Sequence, residues 1–244
     1  MVRRIPLRTR CNIFLTSESR HKLSSSERKA YVAANICLQT TPGVYKDVSG
    51  LKQLTAYEDF VYVHKIYAPY VHYNAQFTLW HRYFMWTFEA ALRNTCKYRG
   101  PLPYWDQKID RVDSTQSILY SVTEGFGGNG KYDPNPIYPG EPGSMGGGCV
   151  TTGKFAEDKY RIRLGKINST VPEDECLRRS FSAAATAMWM TPEREAELFA
   201  KDSYIDFWST IDDDGPTVFE KLGMHGGGHG TIGYAAHSIL PVVG

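Results

Sequence analysis

Histidines are the residues of this chain best suited to chemistry, and six of the seven fall into two groups. His64, His72 and His81 form the first; His225, His229 and His237 form the second, about 140 residues later. His21 stands apart, among Arg20, Lys22 and serines, and reads as a solvated side chain. Neutral imidazole is the commonest metal ligand and suits Zn, Cu, Fe and Ni. A lone buried histidine is most often a satisfied core residue, but three arriving from a helix, a loop and a second helix suit a shared metal. His225 and His229 have the i, i+4 spacing that puts two ligands on one helix face. No glutamate lies between them, so the H-E-x-x-H pattern of zinc proteases fails. Three glycines stand there instead, Gly226, Gly227 and Gly228. Each costs a helix roughly 0.8–1 kcal/mol against alanine, about 2–3 kcal/mol in sum. Either this turn is not helical or a bound metal offsets the cost. Glycine also clears the wall for a flat substrate or a second helix. The two groups make one centre only if the fold brings them together.

Several elements are readable around these residues. Ser24 and Glu27 form a capping box that opens a helix through "AYVAANICLQ". Thr55 and Glu58 repeat the signal for a second helix carrying His64 beside Phe60 and Tyr67, with Pro69 expected to end it. "NAQFTLWHRYFMWTFEAALRN" is the strongest helix, with Phe77, His81, Phe84, Phe88 and Leu92 on one apolar face. His72 sits between the two. From about Gly100 to Leu177 periodicity fades into a long Gly- and Pro-rich excursion. Helix returns behind Thr191 and Pro192, again over Ser203 to Ile211, and Thr217 with Glu220 has capping spacing ahead of His225. Alternating strand patterns are few. The fold class is therefore mainly α with long irregular loops.

Composition narrows the function classes. The chain has 244 residues, enough for one sizeable domain, with 42% apolar residues. Lysine and arginine number 28 against 26 acidic residues, so neither nucleic acid nor an anionic membrane surface is implied as a partner. No apolar run is long enough to span a bilayer. The opening "MVRRIPLRTRCNIF" is basic without an apolar stretch behind it and does not read as a signal peptide. Five cysteines, Cys11, Cys37, Cys96, Cys149 and Cys176, leave at least one unpaired within the chain, and no C-x-x-C marks a zinc knuckle. Asn168 opens a glycosylation sequon that matters only in a secreted protein.

"FTLWHRYFMWTFEAALRNTCKYRGPLPYWD" strongly resembles the first copper-binding segment of the tyrosinase and catechol oxidase family, particularly its short fungal members. The "WHRYF" around His81 and the "PYWD" ending at Asp106 carry the likeness, and "FVYVHKIYAPYVHYNAQF" places His64 and His72 in the family's order. "LSSSERKAYVAANICLQT" and "CLRRSF" add to it, so that residues 11–233 are covered. The resemblance implies an antiparallel four-helix bundle around two copper ions, each held by three histidines. It assigns His64, His72 and His81 to the first copper, and His225 and His229 to the second. It implies oxidation of o-diphenols or o-aminophenols to quinones with O2, with monophenol hydroxylation as a further family activity. Family members of this type are often secreted. The whole chain, 1–244, would then be a single copper-binding domain.

The departures set further expectations. In the family, the third ligand of the second copper follows some twenty or more residues on, in a segment like Asp-Pro-x-Phe-x-x-His-His, and "YAAHSILPVVG" does not match it. On a continuing helix His237 would lie about 12 Å beyond His229, too far to share a metal. The expectation is a C-terminally incomplete second site with little or no oxidase activity in the chain as given. An inactive or single-copper member of the family and an O2-binding dicopper protein are the alternatives, with a zinc hydrolase more distant. Tyr70 stands where some members carry a thioether-forming cysteine. Gly226 follows the first histidine of the second pair, where monophenol hydroxylases often have asparagine, and leans the reading toward o-diphenols.

Overall fold

The computed structural model describes residues 17–134, 144–164, 171, 173–212 and 223–233. Cys11, Asn168, Thr217, Glu220 and His237 lie outside that set. Both early capping boxes form. Ser24 caps α1 (Ser25–Thr40) and Thr55 caps α2 (Ala56–Val71), each accepting from the backbone of the glutamate three residues on. Pro69 does not end α2. The helix runs two residues further, because the proline ring lies on the exposed side and the His72 amide closes the last turn on the Ala68 carbonyl.

The third helix, α3 (Phe77–Asn94), buries Phe77, Phe84, Phe88 and Leu92, as their spacing requires. Five residues separate it from α2, and it brings His81 back beside His64, so the two helices form an antiparallel hairpin. α1 packs on both, and its Tyr31, Val32 and Leu38 join Tyr57 of α2 with Phe88 and Leu92 of α3 in the main core. A disulfide between Cys37 and Cys96 ties the end of α1 to the end of α3.

The excursion after Gly100 is ordered by aromatics, a bridge and an arginine rather than by long elements. Phe126, Phe155 and Tyr160 are buried in the same core, and Cys149 pairs with Cys176. The "CLRRSF" stretch now has a physical reading. Leu177 and Phe181 are core residues. The fully buried Arg179 donates to the carbonyls of Phe126, Gly127 and Gly128 and lies over the Tyr120 ring. One guanidinium thus serves the backbone acceptors that this glycine-rich turn has no ladder to satisfy. Strands are more numerous than expected but short. β1 (Ser17–Ser19) pairs in parallel with β4 (Leu102–Tyr104), and β2 (Pro42–Val48) pairs antiparallel with β3 (Leu51–Thr55). β5 (Gly130–Tyr132), β6 (Ser144–Val150) and β7 (Arg178–Ser182) form an antiparallel sheet.

Beyond α4 (Gln107–Asp110), four further helices follow among the described residues. These are α5 (Ala183–Trp189), α6 (Pro192–Phe199), α7 (Tyr204–Ile211) and α8 (Gly223–Ile232). α5 is additional to the expected helices, Thr191 caps α6 as expected, and the expected helix over Ser203–Ile211 forms with Ser203 as its cap. α8 rests on α5 and α7, and its His225 reaches the α2–α3 hairpin, so it joins α1, α2 and α3 as the fourth helix of the bundle. Among the described residues no helix is long and apolar enough to cross a membrane.

The glycines of α8 are explained by what they touch. A Cβ on Gly227 would land inside the Trp189 side chain, and one on Gly228 would sit 3.0 Å from the Gln107 amide. Trp189 is itself held from the other side by the Arg194 guanidinium. Contact between Gly227 and Trp189 of α5 therefore works against the helix cost of the glycines. Gly227→Ala would raise helix propensity by roughly 0.8–1 kcal/mol, yet must push α8 off Trp189. We expect net destabilisation of about 1–3 kcal/mol, the usual cost of overpacking, measured by urea unfolding. An unchanged or raised midpoint would contradict this packing.

Candidate metal centre

Three of the predicted histidines converge beside the turn that joins α2 to α3. His64 lies on α2, His72 is the residue that ends it, and His81 lies one turn into α3. One nitrogen from each falls within 4.8 Å of the others. The His81 and His64 Nε2 atoms are 3.4 Å apart. Two metal–imidazole bonds of about 2.0–2.1 Å at a tetrahedral angle would put their nitrogens roughly 3.3 Å apart.

For two of the three rings, the nitrogen facing away from this point has its proton placed. His72 Nδ1 donates to the Ala68 carbonyl at 2.9 Å, and His81 Nδ1 donates to the Phe77 carbonyl at 2.8 Å. In both cases the acceptor is the residue four earlier. A neutral ring that gives its only proton at Nδ1 keeps a lone pair at Nε2. Burial lowers the pKa of all three rings, to about 3 for His64 and about 4 for His81. Repulsion from neighbouring imidazoles adds to the effect. The triad is therefore neutral at physiological pH, the form that binds metal.

The second pair stands beside it. His225 stacks on His72 at 5.6 Å between ring centres and touches Phe77 at 4.7 Å. His229 is one turn on, buried, with its Nε2 2.9 Å from that of His225. The carboxylate of Asp212 lies 3.1 Å from His225 Nδ1 and accepts its proton. The His225 lone pair then points at His229 Nε2, 2.9 Å away, where it accepts that ring's proton when the site is metal-free. The fold thus gathers five of the six grouped histidines.

Sequence reasoning missed the residues that hold this arrangement. Asp212 is 1% exposed, and its second oxygen accepts from the Tyr73 amide at 2.6 Å. Tyr204 donates to the Ala75 carbonyl and bonds the Thr78 hydroxyl. Asn74 fastens the turn between α2 and α3 through the Tyr70 and His72 carbonyls and the Gln76 amide. An Asx turn after a helix was a usable signal for Asn74; nothing local marks Asp212 or Tyr204. His21 is not simply solvated: its Nε2 lies 2.9 Å from Asp110, whose carboxylate also takes the Trp105 and Ser117 donors. Tyr70 is exposed and does not share the centre.

A cleft of about 470 Å³ opens beside His81 and His225, walled by Phe77, Met85, Trp105 and Met224. A second cleft, of about 490 Å³, lies against the outer side of α2 and α3 and contains no histidine. Volume does not separate the two, but only the first meets the imidazoles.

The common central domain of tyrosinase matches residues 54–241. The chain belongs to the tyrosinase family. It is 33% identical over 202 residues to the tyrosinase-like protein phomQ1 of Diaporthe leptostromiformis, covering 78% of this chain and 49% of that one. It is 30% identical over 239 residues to the N-acetyl-6-hydroxytryptophan oxidase ivoB of Emericella nidulans, covering 86% of this chain and 64% of that one. Among solved structures, a mutant polyphenol oxidase from Thermothelomyces thermophila superposes with a TM-score of 0.79 at 29% identity, over 94% of this chain and 65% of that one. The chain thus spans about half the length of phomQ1. Tyrosinases are a dinuclear-copper family, and the donor set here, neutral imidazoles alone, is one that copper accepts.

The lowered imidazole pKa values set a pH dependence. In the unfolded chain these histidines take a proton near 6.5; in the folded chain His64 and His81 resist it until about 3 and about 4. The unfolded state therefore binds more protons as pH falls below 6.5, and stability is lost in that direction. Metal-free protein should show a falling Tm from about pH 7 to about pH 5, above most carboxylate titrations. His64→Asn should flatten the slope. A Tm flat across this range in the parent protein would contradict the burial of neutral rings.

Proposed function

We propose that the chain is the copper-binding part of an oxidoreductase that converts o-diphenols or o-aminophenols to quinones with O2. His64, His72 and His81 hold one copper, and His225 and His229 supply two ligands to a second. The observation that carries this reading is the His81–His64 geometry, with Nε2 atoms 3.4 Å apart and the Nδ1 proton of His81 spent on its own helix. Copper, when bound, supplies the redox chemistry that passes two electrons from each substrate to O2, which ends as water.

The chain's own residues do the rest. The aromatic wall of Phe77 and Trp105 receives a flat ring in the cleft and excludes water from the imidazole edge. Gly228 leaves α8 bare where it lines the cleft. Gly226, next to His225, offers no group to take a phenol's proton, which favours substrates that already carry the second ortho oxygen or nitrogen. The name of ivoB, an oxidase of a hydroxylated tryptophan, supports an aryl hydroxyl as the group acted on. Two disulfides fit folding in an oxidising compartment, which agrees with the secretion common among such proteins. A single-copper form is the second reading: among the described residues only His64, His72 and His81 meet the spacing of a metal site.

Elemental analysis of purified, copper-loaded protein tests the first site. His81→Ala should remove one copper per chain, whereas equal copper in parent and variant would overturn the assignment. Substrate choice tests the second point. A catalytically competent form should turn over catechols or o-aminophenols at least about tenfold faster than matched monophenols, tenfold being 1.36 kcal/mol of barrier. Comparable rates would contradict the role given to Gly226.

A further inference from the structure

Asp212 closes α7, and its two oxygens serve two different parts of the centre. Oδ1 accepts from His225 Nδ1 at 3.1 Å on α8, and Oδ2 accepts from the Tyr73 amide at 2.6 Å, next to His72. Tyr73 holds a left-handed backbone with φ of 55°, so its amide points where an ordinary extended or helical residue would not aim it. At its other end α7 holds the same loop, through Tyr204 and the Ala75 carbonyl. The helix is thus a strut with one foot on the loop that carries His72. Its last residue also reaches the ring of His225. Almost nothing of Asp212 meets solvent, so an acceptor there is fully committed to these two donors.

A neutral imidazole has one proton to place, and which nitrogen keeps the lone pair depends on which has a bonding partner. From these observations we propose that Asp212 is a positioning residue for the α8 site. It selects the His225 tautomer with its proton on Nδ1 and its lone pair on Nε2, and it fixes that ring relative to His72. This rests on the reading that α8 supplies ligands to a second copper. The tautomer itself is a property of the metal-free chain and is tested without copper.

Asp212→Asn is the discriminating variant because it keeps size and shape. The Tyr73 amide is an obligatory donor, so the asparagine oxygen must face it. The NH2 group then faces His225 Nδ1, which can only accept, and the ring proton moves to Nε2. Imidazole 15N shifts of the metal-free protein should show a protonated Nδ1 in the parent and a protonated Nε2 in Asp212→Asn. Asp212→Glu retains a carboxylate and should retain the parental tautomer. With copper added, Asp212→Asn should weaken the copper lost in His225→Ala by about 10–100-fold, while first-site copper stays at the parental level and reports an intact fold. An unchanged tautomer in Asp212→Asn would overturn the inference, as would parental affinity for the copper that His225→Ala loses. If His225→Ala loses no copper, the second-site reading fails, and the 15N shifts still decide whether Asp212 sets the tautomer.

Discussion

An imidazole offers a metal only the nitrogen that carries no proton, and a buried one must still bond the proton it keeps. That constraint organises the centre. For His72 and His81 the solution is local: each ring returns its Nδ1 proton to a carbonyl of the preceding turn, Ala68 and Phe77. The helices that position these rings also choose their tautomers, at no expense to any other element. On α8 the solution is long-range, because His225 gives its proton to a carboxylate thirteen residues away in sequence. The first three histidines therefore form a unit complete within one hairpin, whereas the pair on α8 depends on where α7 ends.

The remainder of the fold holds α8 against that hairpin. Gly227 admits Trp189 so closely that a side chain there would force the helix away. The intrinsic cost of a glycine-rich helix, about 2–3 kcal/mol for three residues, is comparable to the gain from burying one large side chain. Packing against α5 thus supports the helix through this segment. The irregular excursion works by the same economy of contacts. Arg179, without a carboxylate partner among the hydrogen bonds it makes, gathers three carbonyls of a glycine turn and lets Phe126 reach the core.

Reading the residues in order found the hairpin well and the strut poorly, for physical reasons. Capping boxes and i, i+4 faces are local codes, so Ser24, Thr55 and the Phe77–Leu92 face were visible before any coordinates. Pro69 misled because the rule against proline in a helix concerns its interior, and this proline stands in an exposed final turn. The i, i+4 pair on α8 was readable as a spacing, but its helicity depends on Trp189, 38 residues upstream of Gly227 (227 minus 189). Asp212 and Tyr204 act on backbone groups far along the chain, and a carboxylate accepting from a distant amide leaves no periodic trace. His21 looked solvated among charged neighbours because its partner, Asp110, lies 89 residues on.

The two disulfides bear on metal choice as well as on folding. Closing spans of 59 and 27 residues removes chain entropy from the unfolded state worth about 4 and about 3.5 kcal/mol in the loop-closure picture. They also take thiolates out of competition. Thiolate is a softer ligand than imidazole and captures Cu(I) strongly. Among the described residues every cysteine is bridged, so a reduced copper ion meets rings of nitrogen and no sulfur anion. Oxidation of the chain would therefore come first, and the same chemistry that staples α1 to α3 would leave the histidine cluster as the strongest trap for copper in the described fold.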